Sequence, residues 1–450
     1  MIKNRIDVVT LGCSKNLVDS ELLMRQFVAN GYTVEHNPEN PRGEIAVINT
    51  CGFIGDAKEE SIHMILDFAD RKQNNQLKKL FVMGCLSERY MEELQHEIPE
   101  VDKFYGKFGW KGLISDLGKS YYKDLEYERS LTTPPHYAYV KISEGCDRTC
   151  SYCSIPIITG RHKSRPIEEI VDEVHYLVQN GVREFQFIAQ DLTFYGVDRY
   201  KKMMLPELID RVAQIKGTEW IRLHYAYPAH FPMDILSVMN RHENVCNYLD
   251  IALQHISDNM LTKMRRNISK QQTIDLISKI RATVPGIHLR TTMMVGHPGE
   301  TESDFEELID FVKHTRFERL GAFPYSHEEG TYSGENYYDE IPASDKQERM
   351  NILMGVQEEI SMEMNISKIG KVMQVIIDRE ETDFYVGRTE FDSPEVDGEV
   401  LIGKDQLLTV GDFYPVEIQS AMPFDLMGEV VFDSSETDVP CNGMVDCKRN

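Results

Sequence analysis

The sequence predicts an α/β protein in three successive parts: an N-terminal parallel α/β sheet domain, a central (βα)6 partial barrel and a small C-terminal β-barrel. Three observations predict it. Short β-branched runs alternate with amphipathic helical stretches, first up to about residue 110 and again from about 137 to 325, which is the pattern of parallel sheets with helical crossovers. Beyond residue 370 the period drops to two, in five short segments. Six of the nine cysteines fall into two groups of three, each just after a predicted strand, where parallel α/β folds carry their active residues.

In the first part, residues 6–11 form a β-branched strand, and 17–29 carry apolar residues at helical spacing until Gly31 ends the helix. Residues 45–48 lead to Cys51, with a helix over 57–71, and residues 80–83 lead to Cys85, after which Ser87 caps a third helix through 94. Cys13, Cys51 and Cys85 are 38 and 34 residues apart. Since each follows a strand of one parallel sheet, they are expected to converge at its carboxyl edge.

A polar, Tyr-rich connector follows, and the second series places strands at 139–143, 184–189, 220–225, 248–253, 289–295 and 320–325. Helices such as 167–178 and 305–313 lie between them. Six units suggest a partial barrel with its active residues at the strand ends. After a charged helix over 345–367, strands at 371–377, 383–389, 399–402, 413–418 and 426–431 suggest a small closed barrel of the OB-like kind. The expected limits are 1–118, a connector 119–135, 136–368 for the partial barrel with its trailing helix, 369–433 for the small barrel, and a loose tail 434–450 carrying Cys441 and Cys447.

With 450 residues and 41% hydrophobic content the chain can bury more than one core. No apolar run approaches the roughly 20 residues of a membrane span, and no leader is evident. A cytoplasmic protein is expected, with no membrane partner. The formal charge of −24, from 49 basic and 73 acidic residues, argues against a general nucleic-acid binder.

The compact cysteine group is Cys146-Asp147-Arg148-Thr149-Cys150-Ser151-Tyr152-Cys153, a Cys-x-x-x-Cys-x-x-Cys loop. Zinc asks for four ligands with paired Cys-x-x-Cys spacing, which this run does not supply. Disulfides belong to oxidising compartments. A 4Fe-4S cluster held by three cysteines keeps one iron open to substrate, whereas electron-transfer clusters are closed by four.

The loop, with Tyr152 just before its last cysteine, resembles the cluster loop of radical S-adenosylmethionine enzymes. Together with Thr10-Leu11-Gly12-Cys13, Asn49-Thr50-Cys51-Gly52 and Met83-Gly84-Cys85, the chain resembles the methylthiotransferases from Met1 to about Asp433. That resemblance implies two 4Fe-4S clusters, a radical-generating one on Cys146, Cys150 and Cys153 and an auxiliary one on Cys13, Cys51 and Cys85 that carries the methylthio group. It also implies two uses of S-adenosylmethionine, as methyl donor and as radical source, and makes the last barrel a TRAM domain. An external electron donor is then required.

Candidate S-adenosylmethionine contacts are Tyr152 and the polar residues of the barrel strands: Gln190, His224, Gln254 and Arg290. Gly296 and Gly299, in the run Val295 to Thr301, give the backbone freedom to approach a ligand. By resemblance that run helps form the adenosyl pocket, with His297 standing where the family usually has Phe.

The last barrel points to the substrate. Residues 371–433 hold four basic side chains against fifteen acidic ones, a balance of −11. Such a surface should repel phosphate and attract a basic protein, so no stable nucleic-acid binding is expected through it. The run Gly387 to Gly398, with its Pro-Glu-x-Asp-Gly, resembles the branch that modifies an aspartate β-carbon in small-subunit ribosomal protein S-twelve. The implied partner is that basic protein, free or on the ribosome. The alternatives are a tRNA adenosine methylthiotransferase and, in another class, a non-catalytic iron-sulfur protein that binds ribosomes. Cys246, Cys441 and Cys447 have no assigned role.

Overall fold

The β-branched run that opens the chain forms β1 (Ile2–Thr10), joined by β2 (Thr33–His36), β3 (Gly43–Thr50), β4 (Lys79–Gly84) and β5 (Lys103–Phe104) in the order β2-β1-β3-β4-β5. Every pairing is parallel. The edge strands β2 and β5, only four and two residues long, are too short to show a period of two and were not expected. Helices α1 (Ser14–Ala29), α2 (Gly55–Gln73) and α3 (Cys85–Glu97) cross between strands. Both faces of the sheet are covered, as parallel sheets require. Ile6, Val8 and Val47 pack with Leu23 and Phe27 of α1, and the alternate residues Val9, Ile48 and Val82 pack with Ile65 and Phe68 of α2. The third helix begins at Cys85, not behind a Ser87 cap: Gly84 is its N-cap and Ser87 is buried inside the first turn.

The segment expected to be a connector is packed. After α4 (Trp110–Asp116), the Tyr122 carbonyl accepts from Gln26 Nε2 at 2.9 Å. The Thr132 hydroxyl donates to Glu21 at 3.0 Å, and buried Arg129 pairs with Glu21 and Glu173, both at 3.3 Å.

The second series comprises β6 (Tyr137–Lys141), a two-residue hairpin of β7 (Ser143–Glu144) and β8 (Lys163–Ser164), then β9 (Glu184–Ile188), β10 (Trp220–Ala226), β11 (Val245–Ile251), β12 (His288–Val295) and β13 (Arg319–Pro324). Six of these form a parallel sheet in the sequential order β6-β9-β10-β11-β12-β13, the (βα)6 arrangement. Helix Glu302–Thr315 starts in a capping box of Thr301 and Asp304, one of the local devices that set its first turn. The first sheet domain docks on this barrel through α1: Leu17, Val18 and Leu22 pack with Tyr137, Tyr139, Ile188 and Tyr225.

The structure, a computed structural model, describes residues 1–431, which divide into two units, Met1–Ile360 and the chain from Ser361 on. In the second, β14 (Val372–Glu380), β15 (Phe384–Thr389), β16 (Val400–Gly403), β17 (Phe413–Ala421) and β18 (Leu426–Val430) close into a barrel. It is filled by Val375, Ile377, Tyr385, Ile402, Val416 and Ile418. The tail with Cys441 and Cys447 lies outside the described residues. Among those described, no helix is long and apolar enough to cross a membrane.

Candidate active site

The dispersed cysteines come together because their strands are neighbours. Register pairs Thr10 with Asn49 and Thr50 with Gly84, so Cys51 and Cys85 leave adjacent strand ends side by side. Cys13 returns as the N-cap of α1. Gly12, at φ +87°, lies so close to Cys51 that a Cβ there would stand 2.8 Å from its sulfur. Cys51 and Cys85 are buried, while Cys13 reaches solvent although protein encloses most of its surroundings. Burial, reinforced by the other cysteines, pushes the Cys85 thiol up to about 12 and raises Cys51. Burial acts on Cys13 in the same direction, but Lys15, the Asn16 N–H and Lys107 outweigh it and hold that thiol below its ordinary value.

The compact group lies just beyond β7. Backbone bonds shape the loop: the Cys146 N–H donates to the Gly160 carbonyl at 3.1 Å and the Ser151 N–H to Met264 at 3.0 Å. Arg148 pairs with Asp191 at 2.7 Å, tying the loop to the end of β9. The Cys150 sulfur receives a hydrogen bond from Arg266 Nη1 at 3.1 Å and stands 3.7 Å from the Tyr227 hydroxyl. Burial, with Asp191 and Cys150 adding to it, pushes Cys146 up to about 12, and Cys153 is raised by burial and by Cys150.

Two links bring the groups face to face. The Ser154 hydroxyl, next to Cys153, donates to the carbonyl of Phe53, two residues past Cys51, at 3.2 Å. Lys107, fully enclosed, lies 3.6 Å from Asp19 of α1 and 3.7 Å from Glu144, two residues before Cys146. The carboxyl edge of the first sheet therefore faces the strand ends of the barrel. A latch of Arg89 and Lys58 on Glu328, at 2.8 and 2.9 Å, closes the same junction from the other side.

Residues 140–312 match the model of the Radical SAM superfamily, 369–431 that of the TRAM domain, and 5–106 that of Uncharacterized protein family UPF0004. The chain is 67% identical over 431 residues to the ribosomal protein uS12 methylthiotransferase RimO of Parabacteroides distasonis, covering 96% of this chain and 100% of that relative. It is 66% identical over 432 residues to the protein of the same name from Bacteroides fragilis, again covering 96% and 100%. The chain belongs to the uS12 methylthiotransferase family of radical S-adenosylmethionine enzymes. In fold alone, the uS12 methylthiotransferase chain is similar to the radical S-adenosylmethionine methyltransferase TsrM of Kitasatospora setae, with TM-score 0.54 and 13% identity over 74% of this chain and 77% of that one. The cobalamin-dependent enzyme OxsB gives TM-score 0.51 and 13% identity over 79% and 56%.

The donor sets suit the cofactors of such a methylthiotransferase. Cys51, Cys85, Cys146 and Cys153, whose thiols are raised by burial and by neighbouring cysteines, suit a metal centre that takes the place of their protons, and the lysines beside Cys13 favour its thiolate. Among the described residues no three His, Cys, Asp or Glu side chains are arranged to hold a single metal ion. A four-iron cluster spreads its ligands over separate corners, farther apart than the donors around one zinc. On the barrel rim, the side-chain oxygens of Gln190 and Gln254 are buried and accept no hydrogen bond among the described residues, an expensive state unless a ligand donates to them. S-adenosylmethionine carries such donors in its ammonium and ribose hydroxyls. Gln254, at φ +74°, is held in a left-handed backbone conformation as it leaves the sheet.

The other predicted pocket residues of the methylthiotransferase are placed differently. Tyr152 accepts from Arg266 Nη1 at 3.2 Å and so braces the loop. His224 lies inside the barrel, 2.7 Å from the Gln186 side chain. Arg290, third residue of β12, pairs with Asp250 at 3.4 Å. It sits about 10 Å down the strand from Met293, which bridges to Gln254. Gly296 and Gly299 have φ of +71° and +81°, and the space a Cβ would need is filled by Lys346 and Lys263 of the chain itself. Their N–H groups are taken by Glu300 and Glu340. Within the chain, the glycine freedom at these positions is used in packing. Arg148, Arg266 and Tyr227, which touch the cluster loop, were not anticipated. Arg148 was visible inside the motif, but Arg266 lies 116 residues from Cys150 and had no local signal.

His297 acts as a buried aromatic ring. It is fully enclosed, with the Tyr325 and Tyr337 rings 5.0 and 5.8 Å away. Its two nitrogens are within hydrogen-bond reach of the Pro298 carbonyl and the Ser333 hydroxyl, at 3.1 and 2.9 Å. Burial pulls its pKa down to about 4. The unfolded chain, titrating near 6.5, binds more protons than the folded one between these values. The His297 contribution is therefore present above about pH 6.5 and is lost as pH falls toward 4. His297→Phe should make the stability loss between pH 7.5 and 5.5 smaller by about 1 kcal/mol, measured by urea unfolding at both values. An unchanged difference would place the ring nitrogens in solvent.

Proposed function

We propose that this chain methylthiolates the β-carbon of an aspartate in ribosomal protein uS12. The reading is carried by two three-cysteine groups facing each other across a domain junction, in a chain 67% identical to a uS12 methylthiotransferase over 431 residues. When bound, two 4Fe-4S clusters and S-adenosylmethionine supply the radical, sulfur and methyl chemistry that no acid–base side chain can perform at an unactivated C–H.

The chain's own residues have these tasks. Cys146, Cys150 and Cys153 hold the radical-generating cluster, with Arg266 and Tyr227 fixing the Cys150 sulfur. Cys13, Cys51 and Cys85 hold the auxiliary cluster. Gln190 and Gln254 accept hydrogen bonds from S-adenosylmethionine, and the apolar seal of α1 on the barrel keeps water from one side of the junction. In this reading residues 1–118 carry the sulfur, 136–368 generate the radical and 369–433 receive the substrate. An external reductant delivers the electron, and the enzyme works in the cytoplasm, on uS12 either free or on the ribosome.

The charge of the last barrel supports a protein substrate over tRNA. Of its four basic residues, Arg379 is bound by Glu381 and Glu399, Lys404 by Glu380, and Arg388 is buried against Asp378. Among the described residues of the barrel, Lys371 alone has no carboxylate partner, and so sparse and offset a set of cations does not make an RNA groove. Asp397 accepts the Ser393 N–H at 2.9 Å and shapes its loop, so a charge test belongs at the exposed Asp383, Asp405 and Glu429. Reversing these three to Lys should weaken uS12 association about tenfold at low salt and flatten its decline as salt rises. Purified, reconstituted enzyme should methylthiolate uS12 and leave tRNA unmodified. Modified tRNA with untouched uS12, read by mass spectrometry, would replace this reading with the tRNA one.

A further inference from the structure

The junction between the cysteine groups encloses five charged side chains: Lys15 and Asp19 of α1, Lys107, Lys141 at the end of β6, and Glu144. Lys107 lies between the two carboxylates, 3.6 Å from Asp19 and 3.7 Å from Glu144. Lys141 pairs closely with the same two. Both carboxylates are thus shared by two lysines. Lys15 has no part in this: it is buried, and among the described residues no carboxylate pairs with it. Its ammonium instead stands 3.4 Å from the centre of the Tyr225 ring. Of these three ammonium groups Lys15 alone has no carboxylate beside it; its anionic neighbour within the chain is Cys13, whose thiol it holds down, and a buried cation without a carboxylate partner is costly.

Tyr225 is itself held unusually. It lies near the carboxyl end of β10 with φ +61°, a conformation that costs a bulky side chain energy and is found where function demands it. Its N–H is fixed by Asp250 at 3.1 Å. The ring face that receives Lys15 therefore belongs to the barrel rim, while Lys15 is two residues from Cys13. The ammonium thus joins α1, beside the dispersed cysteines, to the rim of the barrel.

We infer that Lys15, resting on Tyr225, is the subsite that binds the side-chain carboxylate of the substrate aspartate. The inference rests on the reading of uS12 as substrate. The carbon to be modified is bonded directly to that carboxylate, so a cation gripping it holds the carbon between the two cysteine groups. The incoming carboxylate also gives the Lys15 ammonium the charged partner that no carboxylate among the described residues supplies. A neutral amide of the same shape cannot do so.

The test compares purified uS12 with a uS12 variant carrying asparagine at the modified aspartate, measuring binding to the anaerobically reconstituted enzyme. Wild-type enzyme should bind the aspartate form at least about tenfold more tightly. Lys15→Met should remove that preference while keeping its full iron content, and Lys15→Arg should keep the preference. Equal binding of both forms by the wild type overturns the inference, whatever the variants do. A preference that survives in Lys15→Met with its iron intact also overturns it, and assigns Lys15 to balancing the charge of the auxiliary cluster. Wild-type enzyme that leaves uS12 unmodified is a separate failure, that of the substrate reading itself.

Discussion

Replacing Cys146, Cys150 and Cys153 together with alanine should abolish 5'-deoxyadenosine formation and lower iron from about eight to about four per chain. The loss is complete because three thiolates are the least that hold a four-iron cluster with one open iron. The fold should survive it. The loop is shaped by the Cys146 N–H on Gly160, the Ser151 N–H on Met264 and the Arg148–Asp191 pair, none of which uses a thiol. Anaerobic iron analysis and chromatography of the nucleoside products decide the matter. Full iron with a working radical step would show that the compact loop is not the cluster site, and four irons in the unmodified enzyme would end the two-cluster reading.

The corresponding change at Cys13, Cys51 and Cys85 should also leave about four irons, yet 5'-deoxyadenosine should still form while uS12 receives no methylthio group. The distinction follows from geometry. The backbone N–H and carbonyl of Cys51 are both bound by the Ser61 hydroxyl, and Asn16 holds the Leu11 and Thr50 carbonyls at 3.0 and 3.1 Å. With the Thr50 hydroxyl donating to the Met83 carbonyl at 2.7 Å, the three strand ends stay in place without their thiols, and the barrel loop is untouched. Mass spectrometry of uS12 beside a nucleoside assay reads both outcomes from one reaction. Methylthio transfer that persists would remove the dispersed cysteines from sulfur delivery.

Much of this was legible in the sequence because it is local. The six cysteines announce themselves by spacing and by their place after β-branched runs, and parallel α/β folds carry such residues to one edge. The alternation of strand and helix revealed both sheets, and the change to a period of two revealed the closing barrel. The acidity of that barrel was a matter of composition. The place of Gln190 and Gln254 at strand ends was legible in the same way.

Only the tertiary structure decided what surrounds those residues. Lys15, Lys107, Lys141 and Glu144 look in sequence like ordinary solvated charges. They become a buried network because Leu17, Val18 and Leu22 dock α1 on Tyr137, Tyr139 and Ile188 of the barrel. Arg290 read as a rim residue and proved to be a pair for Asp250 deeper in the sheet, since a strand's sequence does not say how far its neighbours extend. At Gly296 and Gly299 the space a Cβ would need is taken by Lys346 and Lys263, because a glycine records that something comes close and not what it is. Burial and pairing of charge depend on elements far apart in the chain, and periodicity cannot carry that information.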